Sequence, residues 1–409
     1  MLQVASGALE QRLNADHSDY TGPTQPCACG QPARYAGRHA KRFTSVLGDL
    51  TLERAYYHCA ACGHGRCPRD QALGVAGTTL SPAVTRMVGA VGAVVSFAEG
   101  SALLHELAGL GVDPTLVERT AELLGQAIAA DERAVVESTA PAAPTLYLGL
   151  DGTGVPMRTA ELAGRPGKQP DGSAKTREVK LCTVWSAEAR TADGTPMRDA
   201  GSVTYSAAIE SVASRDTDAA PAAFTHRVLR EATRRGFGHA ARQVVLGDGA
   251  AWIWNLADEH FPGALQVVDL FHAKEHLHDV ATAIYGPSNS LGRRWAERRA
   301  TELVTGAFPA LLRALARPAR AHPAAQQCLE YFQRNRRRMR YPTFRAAGFC
   351  TSTGVVEAGC KVAIGTRLKR AGMHWTLRGA NAIIALRCCR LSGRFEGFRE
   401  RRAEAQRVA

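Results

Sequence analysis

The sequence predicts a mixed α/β chain, and three observations predict it. Apolar runs such as "TLYLGLDGTGVP" (145–156) and "RQVVLGDGA" (242–250) are nearly continuous, as in strands covered on both faces. Segments of helical period run between and after them, from Pro221 to Arg235 and from Ala251 to His260. Cysteines crowd the start of the chain, in "CACG" at Cys27 to Gly30 and "HCAACGHGRC" at His58 to Cys67. A small metal-stapled module is expected there, ahead of the α/β region.

The 409 residues suffice for two or three domains, and 45% hydrophobic with 22% charged residues is core-forming composition. Lys and Arg total 51 against 38 Asp and Glu, a formal charge of +13 that favours a polyanionic partner. Nucleic acid comes first; an Arg-rich composition written by a GC-rich genome is the bland alternative. No apolar run reaches the roughly 18 residues that span a bilayer, and no basic segment leads into an apolar core at the start. A cytoplasmic, nucleoid-associated protein with no membrane partner is expected. Eleven cysteines, odd in number and unevenly clustered, argue for reduced thiols and metal ligation over a secreted disulfide framework.

In chain order, residues 1–25 read as a polar, irregular N-terminus. Residues 26–76 read as a zinc ribbon. The stretch "FTSVLGDLTLERAYYH" alternates about a Gly-Asp turn, as a hairpin should. Cysteine pairs at hairpin ends let four thiolates meet around a structural Zn²⁺, which replaces a missing core. Cys27, Cys29, Cys59 and Cys62 are the expected ligands. The first pair is C-x-C, so Cys67 or His64 could take one place, and buried small hydrophobes remain the alternative.

Residues 77–137 turn helical. Ser81-Pro82 should cap and start one helix, and Ser96 with Glu99 makes a capping box for the next. Leu103, Leu107 and Leu110 share a face, Gly109-Leu-Gly111 ends it, and Asp113-Pro114 starts a third helix. This helix-turn-helix-like segment could set Glu118, Arg119 and Glu122 against a DNA groove, or simply link domains.

After a linker at "STAPAAP" (138–144), residues 145–395 form the α/β domain. Strands are expected at 145–156, 178–188, 201–209, 242–250 and 263–272, and an all-helical insertion at about 275–345. Asp151 and Asp248 each end an apolar strand, and Glu357 lies near a helix start in "TSTGVVEAGCK". They are far apart in sequence, so only a fold could assemble them. Ribonuclease-H-like folds do so, gathering three carboxylates around two divalent ions about 3.5 to 4 Å apart. Hard oxygen ligands suit Mg²⁺ or Mn²⁺. For any one Asp, a cap or turn role is the plain alternative. A competing motif lies in "VVDLFHAKEHLHD", where His272, Glu275 and His276 spell H-x-x-E-H, the inverted zincin signature.

The strings "LGLDGTGVP", "GRPGKQPDGSAKTREVKLCTVW", "VVLGDGAAWIW" with "VVDLFHAKEHL", and "STGVVEAGCK" leading to "RLKRAGMHWTLRGANAIIALR" occur in this order. Together they resemble the bacterial insertion-sequence DDE transposases of the ISKra group, related to the Mutator-like superfamily. The resemblance covers about residues 25–395. It implies that Asp151, Asp248 and Glu357 are the catalytic, metal-binding triad, and that Asp269 and His272 form a D-x-x-H element supporting the site. It further implies a basic helix at "LKRAGMHW", with Lys369, Arg370 and Trp375. The implied activity is binding of terminal inverted repeats, phosphodiester hydrolysis, and joining of 3′-OH ends to double-stranded target DNA, by a homo-oligomer on DNA.

Basic segments fit such a substrate. Arg165, Lys168, Lys175 and Arg177 occupy a loop beside the first catalytic strand, and Arg334, Arg336, Arg337, Arg338, Arg340 and Arg345 crowd "RNRRRMRYPTFR". Lys361 and Arg367 follow the third acid, while Tyr341, Phe344 and Trp375 are candidates to stack on an unpaired base. Two other readings stand beside this one: a non-catalytic DNA-binding protein derived from a transposase, and a zinc metallopeptidase built on His272, Glu275 and His276.

Overall fold

In a computed structural model the protein is described at residues 2–134, 143–167, 169–192, 194–212, 222–352 and 354–408. Most of the expected linker, residues 138–142, lies outside the described residues, as does Lys168. The chain forms two compact units, Met1–Ala129 with Gly393–Ala409, and Ala130–Ser392.

The first unit opens with helix α1 (Leu2–Ala15), where the sequence predicted an irregular start. Its Leu9 and Leu13 pack against Phe43, Leu50, Leu52 and Val75, and Glu10 and Asn14 accept from the backbone N–H groups of Thr51 and Glu53. A short polar helix takes its stability from docking rather than from propensity, so little of it shows in the sequence. Strands β1 (Thr24–Pro26), β2 (Pro32–Ser45), β3 (Gly48–His58) and β4 (Gly65–Arg66) form an antiparallel sheet in that order. The β2–β3 turn is closed by Gly48 at φ +116°, which an L side chain rarely adopts.

After α2 (Pro68–Ala72) come α3 (Pro82–Val94), α4 (Phe97–Ala108) and α5 (Pro114–Ala134). The predicted stops and starts hold: Ser81 caps α3, Ser96 and Glu99 form a reciprocal capping box on α4, and Gly109 ends it in the left-handed conformation. Asp113 accepts from the N–H of Thr115 at the start of α5. Val84, Val88, Leu104 and Val117 bury the faces these helices share.

In the second unit the strands are β5 (Thr145–Pro156), β6 (Thr176–Ser186), the short pair β7 (Ala189–Arg190) and β8 (Pro196–Met197), and β9 (Thr204–Ala208). Then follow α6 (Ala223–Arg234), β10 (Arg242–Gly247), α7 (Ala251–His260) and β11 (Leu265–Val268). The main sheet runs β11-β10-β5-β6-β9, with β11, β10 and β5 parallel, β6 antiparallel to β5, and β9 antiparallel to β6. Its centre is buried on both faces, as the apolar runs predicted, with Tyr147 and Trp185 stacked at 5.4 Å on adjacent strands.

The expected strand at 263–272 is cut short at Val268, because Asp269 turns the chain into a helix. Its carboxylate accepts from the N–H groups of Phe271 and His272, capping α8 (Leu270–Tyr285). Helices α9 (Ser290–Thr305), α10 (Phe308–Ala316), α11 (Pro323–Asn335) and α12 (Tyr341–Ala346) follow. Tyr331, Phe332, Tyr341 and Phe344 sink into the core that underlies the sheet. Helix α13 (Gly354–Gly359) passes through a π-helical turn at Cys360–Gly365 into α14 (Thr366–Leu368), and α15 (Leu377–Leu391) ends the unit. Helix α16 (Phe395–Val408) belongs to the first unit.

Candidate active site

Strand register brings two of the expected acids together. In the parallel pairing of β10 with β5, Leu246 lies opposite Gly149, so two residues further on Asp248 comes level with Asp151. On the other side of β10, Gly247 lies opposite Val268, which brings Asp269 level with Asp248. Three carboxylate residues thus stand in a row across adjacent strands.

Two glycines set the third acid over the same sheet. A Cβ at Gly149 would collide with Val356, and one at Gly359 would crowd Leu181, Tyr205 and Thr183, so α13 rests directly on β5 and β6. Glu357, next to Val356, is exposed and lines a cavity of about 420 Å³ with Asp151, Asp269, His272, Glu275, Cys360, Lys361 and Lys369. Asp248 is half-buried and is not among the residues that line this cavity. Its carboxylate accepts from the N–H of Ala250, and its carbonyl accepts from the Tyr331 hydroxyl at 2.7 Å. Gly249, at φ +102°, leaves room for the Tyr331 ring.

Burial pushes the Asp151 carboxyl above its usual range, and the charge of Asp248 adds to the rise. The hydrogen bonds from Cys360 and from the Gly152 N–H act against it. Cys360 Sγ stands 3.1 Å from Asp151 Oδ2, and burial followed by the Asp151 charge pushes its thiol well up, so it stays protonated and donates. Sequence reasoning missed Cys360, although its place three residues after Glu357, one helical turn on, was a usable signal. The π-helical turn that begins at Cys360 widens the helix beside the cavity.

The donor chemistry fits a hard divalent cation: carboxylate oxygens, mutually repelling, one of them buried. Spacing is another matter. Among the described residues, the group of His, Cys, Asp or Glu atoms drawn within 4.8 Å of one another is the four-cysteine cluster, and the three acids are not gathered that closely.

Both members of the D-x-x-H element, Asp269 and His272, line the same cavity. Asp269 is buried and serves as the α8 cap, with its own N–H donating to Gly247 O. His272 Nδ1 pairs with Glu275 Oε2 at 3.0 Å on the cavity wall. His276 packs against Tyr331, ring centroids 4.1 Å apart, and burial lowers its pKa. Among the described residues no third metal-ligating group gathers around the two histidines.

Several expected DNA contacts are corrected by burial. Arg367 is fully buried against Trp375 (5.1 Å), and Trp375 itself is 7% exposed and donates to Leu368 O. Tyr341 and Phe344 are core residues, the Tyr341 hydroxyl donating to Val268 O. Arg177 is buried too. These side chains are packed into the fold and present little or no surface to a base or phosphate. Arg338 is half-buried, bonded to Gln266 and lying over Trp254. Lys175, Arg334, Arg336, Arg337, Arg340, Arg345, Lys361 and Lys369 remain exposed, with Lys369 donating to the Thr153 hydroxyl, while Arg165 and Arg370 are half-buried.

In the first unit, the sulfurs of Cys27, Cys29, Cys59 and Cys62 lie together at the open end of the β2–β3 hairpin and can hold a zinc ion. Cys27 is 3.6 Å from Cys62, and Cys29 is 3.6 Å from Cys59. The backbone N–H of Cys62 draws the Cys59 thiol down to about 7, towards the thiolate a metal needs. Cys67 stands outside the cluster as the α2 cap residue, and His64 is likewise not part of it.

No known family and no curated protein matches this chain. Among solved structures it is similar to the Drosophila P element transposase strand transfer complex, at 12% identity and a TM-score of 0.29, over 83% of this chain and 84% of that one. A superposition that loose establishes neither a shared fold nor a shared chemistry. Among the described residues no helix is long and apolar enough to cross a membrane.

Proposed function

We propose that the chain is a DNA transposase whose second unit is a ribonuclease-H-like catalytic domain, with Asp151, Asp248 and Glu357 as its metal-binding acids. The observation that carries this reading is the β5–β10 register, which levels Asp248 with Asp151 beneath the helix that bears Glu357. An acid on a central strand, a second on its parallel neighbour and a third on a later helix is the arrangement that two-metal phosphodiester chemistry uses.

Two Mg²⁺ or Mn²⁺ ions bound there would lower the pKa of a water or 3′-hydroxyl and steady the leaving oxygen of an in-line displacement. The protein's own residues do the rest. Cys360 and the Gly152 N–H hold the Asp151 carboxylate in place, and the α8 cap fixes the turn after β11. Lys361 and Lys369 stand on the cavity wall, where a scissile phosphate would need positive charge. The exposed arginines from Arg334 to Arg340 would meet the DNA backbone, and the four thiolates would hold a structural Zn²⁺. Double-stranded DNA with terminal inverted repeats is the substrate, and a homo-oligomer pairing two ends is the working form.

The test is incubation of purified protein with labelled DNA ends from beside its gene and Mn²⁺. Cleavage by the wild type and none by Asp248→Ala or Glu357→Gln, with DNA binding and folding retained, is expected. Cleavage that survives Asp248→Ala would refute the triad. A non-catalytic DNA-binding protein would bind these ends and leave them intact.

A further inference from the structure

The alternation of β2 and β3 sets Arg34, His39, Tyr56 and His58 on one side of the hairpin, Arg34 opposite His58 and His39 opposite Arg54. The other side, with Ala55 and Tyr57, is buried in the cysteine core. On the open side three rings lie nearly parallel. His39 and Tyr56 are stacked at 4.3 Å and 22°, and Tyr56 and His58 follow at 6.4 Å and 28°.

The strip is built, not accidental. Arg54 donates to His39 O and to Asp70, which anchors the strand beneath the stack. A side chain at Gly65 would collide with the Tyr56 ring, so that position on β4 leaves space for it. Yet the outer members, His39 and His58, are exposed, and so is Arg34 beside them. Stacked rings that served only the core would be covered.

We propose that this strip is a platform for single-stranded nucleic acid, with unpaired bases stacking on His39 and His58 and a phosphate meeting Arg34. Charge complementarity selects that occupant, since the protein carries +13 overall and the strip pairs a guanidinium with flat aromatic faces. An acidic peptide would use the charge but not the rings. A duplex hides its base faces inside the helix. The proposal rests on the nucleic-acid reading above, though not on catalysis.

The experiment is fluorescence anisotropy of full-length, zinc-loaded protein with labelled oligothymidylate, the matching RNA oligomer and a duplex of equal length. The His39→Ala/His58→Ala variant should bind the single strands about fivefold or more weaker, with duplex binding unchanged. Tyr56→Phe keeps its ring and should bind as the wild type does. Zinc content and circular dichroism equal to wild type certify the fold of each variant. Tighter binding of either the DNA or the RNA strand supports the platform and identifies its sugar preference. Unchanged single-strand affinity in the double variant, or an equal loss on the duplex, overturns it. A cleavage assay on the wild type separates the two readings: a wild type that cuts no DNA, with single-strand binding that still depends on His39 and His58, refutes the catalytic reading alone. Cleavage that persists while the rings prove irrelevant refutes the platform alone.

Discussion

The Cys360 thiol donates to Asp151 Oδ2 across 3.1 Å, joining the π-helical turn after α13 to the central strand of the sheet. A thiol pushed up in pKa beside a carboxylate is a poor nucleophile. Cys360 should therefore resist iodoacetamide at pH 8 while exposed thiols are labelled, as peptide mass spectrometry would show. Rapid labelling of Cys360 in the folded protein would contradict the bond. Cys360→Ser, which keeps a donor, should cut DNA better than Cys360→Ala, by about tenfold if a hydrogen bond to a charged group is lost.

Asp151 gives a pH dependence whose sign follows from its raised pKa. A carboxyl held above its ordinary range favours the folded state while protonated, and that contribution fades as pH rises through the raised value. Above it, the charged and buried group opposes folding. Without added divalent cation, Asp151→Asn should thus melt at or above the wild-type temperature at neutral pH, and the difference should shrink in acid. Thermal melts across pH test this; a variant destabilised at pH 7 but not at pH 3.5 would reverse the sign.

Gly149 is where α13 touches β5. Gly149→Ala would push Val356 and its neighbour Glu357 off the sheet, at a cost of about 1–3 kcal/mol in urea unfolding and with loss of cleavage. Gly149→Ala/Val356→Ala should recover only part of both, because the added Cβ also meets Thr183 and Trp185. A single variant with full stability and activity would mean that α13 is not seated there.

Metal content distinguishes the thiols. Cys67 sits at the start of α2, outside the four-sulfur cluster, so Cys67→Ser should retain one Zn²⁺ per chain by elemental analysis, whereas Cys59→Ser should lose it and destabilise the hairpin. Zinc lost in Cys67→Ser would reassign the ligands.

How much was legible depends on the range of each interaction. The Ser81 and Ser96 caps, the Gly109 stop and the Asp113-Pro114 start act within four residues, and the structure has each of them. The same local chemistry shapes Asp269, whose place as the α8 cap was not read from the sequence. Its Oδ1 accepts from the N–H groups of Phe271 and His272 while the residue still lines the cavity. Arg367 and Trp375 looked like DNA contacts because charge and aromaticity are visible in sequence, while the mutual stacking that buries them is not.

The sequence by itself determined the local features: which runs are strands buried on both faces, where the capped helices begin and end, and that cysteines crowd the two ends of one hairpin, whereas the structure decided which four of them come together. Hydrophobic period, capping and turn chemistry are short-range and survive in a linear reading. Tertiary structure decided everything that depends on register and docking. It levelled Asp248 with Asp151 through the parallel β5–β10 ladder, seated Glu357 through the Gly149–Val356 contact, and brought Cys360 to Asp151. A one-residue slip in that ladder would turn Asp248 to the other face of the sheet, and no local pattern reports which register the folded strands adopt.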